Sequence, residues 1–64
     1  MPNHFKKYCE YIRNTSYNPL PSHYFDDDWE PIGPMVRRDM KAAGLITEDP
    51  SGIVLTQAGE ALMI

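Results

Sequence analysis

The chain contains a single cysteine among its 64 residues. Because Cys9 has no second cysteine with which to form an internal disulfide, the sequence does not belong to the disulfide-stapled secreted domains. We therefore expect a reducing compartment and a cytoplasmic protein. Cys9 also falls on the apolar face of the first predicted helix, where a thiol is typically buried and unreactive.

Long apolar runs and paired metal ligands are also missing. No apolar stretch approaches the roughly 20 residues that span a bilayer, and no signal-peptide core follows Met1, so we expect no membrane partner. One cysteine and two histidines cannot provide the paired spacings of a structural zinc site. Sixty-four residues make only one domain, residues 1–64, with little room for a catalytic cleft. We expect no enzyme, no catalytic residue, no cofactor and no metal.

Positive charge is scarce. Six lysines and arginines stand against nine aspartates and glutamates, for a net charge of -3. This balance counts against a general nucleic-acid binder, whose usual mark is a basic domain. The charges are nevertheless segregated: the cations concentrate in residues 1–24 and 31–45, and the anions in residues 25–30 and 46–64.

The first half of the chain predicts two short helices. Apolar residues recur at i, i+3, i+4 and i+7 after Asn3, a good N-cap, and predict a helix over about His4 to Arg13. A second helix is predicted over about His23 to Glu30, with Ser22 as its cap; a later start, capped by an aspartate, stays open. The inward residues of the two helices are predicted to be Phe5, Tyr8, Cys9 and Ile12, then Phe25, Trp29 and Ile32.

Between these helices, residues 14–22 contain two prolines and several turn formers, which exclude a continuous helix. Tyr17 and Leu20 are expected to hold this loop or short extended segment against the core.

A third helix is predicted from Pro34 to Ala43. Proline suits the first helical position, and Gly44 suits the left-handed position just past the end, where Leu45 can fold back on Met40. Helical spacing places Val36, Met40 and Ala43 on one face, and Arg37, Arg38 and Lys41 together on the opposite, solvent-facing side.

The last part of the chain predicts a hairpin and a final helix. Two strands, Leu45 to Thr47 and Ile53 to Leu55, are joined by a five-residue loop that contains the proline and glycine of a turn. Thr56 is a good cap for the final helix, in which we expect Ala58, Ala61 and Leu62 to face inward. Gly59 costs about 1 kcal/mol relative to alanine in a helix, so it indicates close contact with another backbone.

The segment VRRDMKAAGLI, a short hairpin and then LTQAGEAL together resemble the second half of a winged-helix (winged helix-turn-helix) domain. The resemblance covers Met35 to Leu62 and implies a recognition helix, a wing and a closing helix. It implies an α+β fold: a small winged helix with three to four short helices and a two-stranded antiparallel wing. Winged helices often have a short strand between their first two helices, which the segment Pro19–Pro21 would match.

In that superfamily the helix that matches Pro34–Ala43 often enters the major groove of double-stranded DNA. The resemblance thus implies a small DNA-binding protein, and the chain's small size suggests a transcriptional regulator of phage or mobile-element type. Arginine forks can bind a guanine edge or a phosphate. The candidate DNA-binding residues are Arg37, Arg38 and Lys41 in the groove, with Lys6, Lys7 and Arg13 available for phosphates.

Many winged helices bind proteins instead, and the acidic wing favours that alternative. DNA-binding wings usually offer lysine or arginine, whereas this one carries two carboxylates. The alternative function is a protein-interaction module, an inhibitor or adaptor of another macromolecule, and a homodimer is also open. Its candidate residues are Asp26, Asp27, Asp28, Glu30, Glu48 and Asp49. The alternative for the first four is a solvated acidic turn without a binding role.

Overall fold

The structure is a computed structural model that describes residues 3–63, with side chains from residue 4 onward. Over these residues it contains four α-helices and a two-stranded antiparallel sheet, which confirms the predicted α+β class with a layout like that of a small winged helix. A short 3-10 turn, Asn3–Phe5, precedes the first helix, and the side chain of Asn3, the predicted cap, lies outside the described residues. The elements are α1 (Lys6–Asn14), α2 (Ser22–Asp28), α3 (Gly33–Ala42), β1 (Ile46–Asp49), β2 (Gly52–Leu55) and α4 (Gln57–Ala61).

The core lies where α1, α2 and α3 meet the sheet. Phe25, which is fully buried, is the centre of an aromatic cluster and lies 6.3 Å from the Tyr8 ring and 5.9 Å from the Tyr11 ring, centre to centre. Such edge-on pairs stabilise a small core beyond simple burial. The buried apolar residues are Phe5, Tyr8, Cys9, Ile12, Leu20, Phe25, Val36, Met40, Leu45, Ile46 and Ile53.

Five residues that were expected to face the core are exposed. Ile32 lies in the turn after α2, because that helix ends at Asp28 and its apolar stripe ends with it. Ala43 lies beyond the last helical residue of α3, and Tyr17 is 51% exposed in the loop. Ala58 and Ala61 also face solvent, because the short α4 contacts the core mainly through Gly59 and Leu62.

The end of α3 confirms the predicted glycine stop. Gly44 has a φ of 77°, in the left-handed region that favours glycine. Its N–H donates to the Lys41 carbonyl at 3.1 Å, and the Leu45 N–H donates to the Met40 carbonyl at 3.0 Å. This pair of hydrogen bonds is the Schellman motif, and it turns the chain directly from α3 into β1.

The wing is longer than predicted and its turn is shorter. β1 and β2 pair in the register Ile46–Leu55, Thr47–Val54, Glu48–Ile53 and Asp49–Gly52, so only Pro50 and Ser51 lie between the strands. The backbones of Leu20 and Ile53 also exchange two hydrogen bonds, of 3.0 and 2.8 Å. The predicted extended segment before α2 is therefore a single-residue bridge to β2.

The cap of α4 and the role of Gly59 are confirmed. The Gly59 N–H donates to Thr56 Oγ1 at 3.1 Å, and Thr56 Oγ1 in turn donates to the Gly44 carbonyl at 2.6 Å. Gly59 is buried directly against the backbone carbonyl of Leu45, so a Cβ at this position would collide with that oxygen. The glycine therefore lets α4 pack onto the start of the wing.

We predict that Gly59→Ala destabilises the domain by about 1–3 kcal/mol, the usual cost of overpacking. Helix propensity alone predicts the opposite sign, a gain of about 1 kcal/mol. Ala58→Gly, at the exposed neighbouring position, is the matched control and should cost about 1 kcal/mol from propensity. Chemical denaturation measures both changes, and a more stable Gly59→Ala variant would show that the close contact is absent.

Candidate functional site

Arg37 does not face solvent with the other two cations of α3, so that expectation is wrong. Its guanidinium lies between α2 and β1, and the side chain is 21% exposed. Nε donates to Asp26 Oδ1 at 2.9 Å and Nη2 donates to Asp26 Oδ2 at 2.8 Å, a two-pronged pair. Nη1 donates to Glu48 Oε2 at 2.8 Å. One arginine thus joins three elements of the fold.

Glu48 receives hydrogen bonds from three side chains. Besides Arg37, Lys41 Nζ lies 2.7 Å from Oε1, and Ser22 Oγ donates to Oε2 at 2.6 Å. Ser22 is the first residue of α2 and makes no capping bond, so the prediction that it caps the helix is wrong. Its hydroxyl binds the wing instead. We call these five residues, Ser22, Asp26, Arg37, Lys41 and Glu48, the Arg37 network.

The contacts of the Arg37 network shift the pKa values of Glu48 and Arg37. Hydrogen bonds from Lys41 and Ser22, together with the charge of Arg37, lower the pKa of Glu48 below its ordinary value. The hydrogen bond to Asp26, with smaller contributions from the charges of Asp26 and Glu48, raises the pKa of Arg37 despite its partial burial. Two cations therefore face two carboxylates, and the network carries no net charge at neutral pH.

Arg38 is the most exposed cation of α3. Its side chain is 72% exposed, and Nη2 lies 3.2 Å from Asp39 Oδ1 of the same helix. An exposed pair of neighbouring residues contributes little to stability, because water and salt screen it. Arg38 can therefore reach a ligand without breaking a structural contact.

The basic residues of α1 belong to a different surface. Lys6 and Lys7 line a shallow depression with His4 and Glu10, and no residue of α3 contributes to it. Lys7 Nζ lies 5.2 Å from the centre of the Tyr8 ring, and Arg13 pairs with Glu60 of α4 at 3.8 Å. No ion pair among the described residues connects these cations to those of α3.

The predicted acidic residues divide into two groups. Asp26 and Glu48 belong to the Arg37 network, so their carboxylates are already bound. The others are exposed: Asp27, Asp28 and Glu30 around the end of α2, and Asp49 in the wing, where it accepts a hydrogen bond from the Ser51 N–H. Asp27 and Asp28 lie in the last turn of α2, so the alternative in which one of them caps a later helix is wrong.

Three tyrosines form a feature that the sequence did not reveal. Tyr11, Tyr17 and Tyr24 line a surface groove of about 460 Å³ with Asp27 and Asp28 beside them. The full lining is Tyr11, Thr15, Ser16, Tyr17, Leu20, Tyr24, Asp27 and Asp28. The sequence does indicate part of the groove, because Tyr24, Asp27 and Asp28 stand at i, i+3 and i+4 and are therefore neighbours on the surface of α2. The loop that supplies Tyr17 carries no periodic signal. We call this feature the tyrosine groove.

The other candidate positions have simple structural roles. Cys9 is fully buried, and burial raises the pKa of its thiol, as expected for an unreactive cysteine.

Within residues 3–63, no three histidine, cysteine, aspartate or glutamate side chains come together in a geometry suited to a metal. Over the same residues, no helix is both long and apolar enough to cross a membrane.

Comparison with protein-family models, curated proteins and solved structures gives no match to this chain. Membership of the winged-helix superfamily therefore stays a prediction.

We predict that Arg37→Ala lowers the free energy of unfolding by about 1.5–3 kcal/mol, because two carboxylates lose their shared donor. In a domain of this size each kcal/mol lost from the free energy of unfolding lowers the melting temperature by about 4–8 °C. Arg38→Ala, one residue along the same helix, is the matched control and should change stability by less than about 0.5 kcal/mol.

Thermal and chemical unfolding of the two variants measure this difference. Arg37→Lys retains the charge but not the planar fork, so it should fall between the two. Equal melting of Arg37→Ala and Arg38→Ala would mean that the hydrogen bonds of Arg37 contribute nothing measurable to stability.

Proposed function

We propose that this chain is a protein-interaction module of winged-helix type, which binds a basic region of a partner protein through its exposed carboxylates. The observation that carries the proposal is the state of the third helix: Arg37 and Lys41 are bound to Asp26 and Glu48. The cations that a DNA-binding helix would present are largely neutralised within the fold.

The exposed charges support the same proposal. Asp27, Asp28 and Glu30 lie at the end of α2, immediately before the turn into α3, and none of them pairs with a cation among the described residues. A DNA backbone close to α3 would meet this negative charge and that of Asp49 in the wing, whereas a basic protein surface would be attracted.

DNA binding remains the second candidate, because Arg38 is exposed and the elements follow the order of a winged helix. In this alternative the chain is a transcriptional regulator in which Arg38, and Lys41 after release from Glu48, reach the major groove. Releasing Arg37 as well would break three hydrogen bonds of 2.8–2.9 Å. The lysines of α1 would have to bind phosphates from a separate surface.

A charge-reversal experiment tests the proposed function. Arrayed peptides of graded net charge should bind more tightly as their positive charge increases, and more weakly as salt is raised. Glu30→Lys should weaken this binding at least about tenfold, or about 1.4 kcal/mol. Glu10→Lys makes the same charge change at an exposed position of α1 and should leave the affinity nearly unchanged.

Labelled duplex DNA from a random-sequence pool is titrated in parallel at about 50 and 200 mM salt, a range over which phosphate contacts weaken steeply. The proposal predicts no saturable binding at either salt. Saturable, salt-sensitive binding that Arg38→Ala abolishes would establish the DNA-binding alternative instead.

A further inference from the structure

The tyrosine groove has apolar walls that the fold leaves open. Tyr17 is 51% exposed and Tyr24 is 39% exposed, although their rings pack edge to face with centres 5.0 Å apart. Leu20, which is 1% exposed, forms the floor. The volume of about 460 Å³ lies within the roughly 300–1,000 Å³ typical of ligand pockets. Exposed tyrosines grouped in a concavity are typical of binding surfaces, since they offer large contact area at low entropic cost.

The groove is held in place by contacts on both sides. Thr15 Oγ1 lies 3.0 Å from the Ile12 carbonyl and 3.1 Å from the Tyr17 carbonyl, which fixes the loop that carries Tyr17. The Leu20 backbone is tied to β2 through Ile53. On the other side, the Tyr11 hydroxyl donates to Asp28 Oδ2. Burial and this hydrogen bond raise the pKa of Tyr11 to about 12, so its hydroxyl stays a donor at neutral pH. A fixed groove loses little entropy when a ligand enters.

The charge beside the tyrosines is negative and unbalanced. Asp27 and Asp28 both line the groove, and no lysine or arginine of the described residues does. Arg37 is bound to Asp26 and Glu48 and is not among the lining residues. An occupant must therefore combine positive charge with a surface that packs on aromatic rings.

We propose that the tyrosine groove binds an arginine side chain from a basic segment of a partner protein. Guanidinium is flat, so it can stack on the face of one of the two exposed rings, Tyr17 or Tyr24, while its N–H groups donate to Asp27 and Asp28. Lysine offers only a compact ammonium, which cannot stack and is more strongly hydrated. This inference rests on the proposed function, and it makes the tyrosine groove the part of the surface that selects arginine.

The test uses three blocked peptides that differ only in one central residue among uncharged neighbours: arginine, lysine or citrulline. Citrulline keeps the shape of arginine without its charge. NMR titration of the labelled protein should show saturable shifts of the Tyr17 and Tyr24 ring signals with the arginine peptide. The lysine peptide should bind several-fold more weakly, and the citrulline peptide should give no saturable shift.

Tyr17→Ala should lower the affinity for the arginine peptide about tenfold. Tyr17→Phe retains the ring, so its affinity should stay within about twofold of that of the unaltered protein. Because Tyr17 is 51% exposed, neither change should disturb the fold, and the backbone spectrum outside the groove checks this. Asp27→Asn is a second variant that removes charge without removing a ring, and it should also weaken binding.

The outcomes separate the groove from the proposed function. Basic peptides can bind in a way that Glu30→Lys weakens but Tyr17→Ala and Asp27→Asn leave unchanged. In that case the groove assignment is wrong and the protein-interaction function stands. Equal binding of arginine and citrulline peptides, or shifts confined to α3 or to the surface of Lys6 and Lys7, would likewise show that the groove assignment is wrong. If none of the peptides binds, neither the groove nor a function based on basic partners survives.

Discussion

The attachment of α3 to its two neighbours depends on how Arg37 is neutralised. Its guanidinium spans the gap between Asp26 of α2 and Glu48 of β1, and both carboxylates are about one-fifth exposed. Hydrogen bonds to charged groups contribute about 1.5–3 kcal/mol when well shielded, and less as water gains access. A domain of 64 residues has a small stability margin, so a contact of this kind matters to the whole fold.

The same contact determines which charges of α3 remain exposed. α3 carries three cations, and the carboxylates of α2 and β1 bind two of them. The exposed charges at the end of α2 are negative, and they lie beside the exposed rings of Tyr17 and Tyr24.

Local features of the fold could be predicted from the sequence because each depends on a few adjacent residues. Gly44 marks the end of α3, Thr56 caps α4, and Gly59 marks a close contact, all for reasons of backbone geometry and hydrogen bonding. The helical spacing of α1 likewise identified its buried residues. The wing's antiparallel pairing followed from two apolar runs around a turn.

The site could not be predicted in the same way. Helical periodicity places Arg37 on the face opposite Val36 and Met40, but it does not say what packs against that face. Asp26 and Glu48 each stand eleven residues from Arg37, on opposite sides along the chain, and only the fold brings them together. The tyrosine groove is missed for the same reason, since α1, the loop and α2 each contribute part of it.

The contacts of Glu48 are tested most directly by its pKa, followed through the side-chain carboxyl carbon by NMR. We expect a pKa below the ordinary value for glutamate, about 4.3, and a return toward that value in Arg37→Met and Lys41→Met. Because the folded-state pKa is lowered, the stability that Glu48 contributes should be present above about pH 4.3 and lost as pH falls through the lowered pKa. A Glu48 pKa at or above the ordinary value, unchanged by either substitution, would show that Arg37 and Lys41 do not bind this carboxylate.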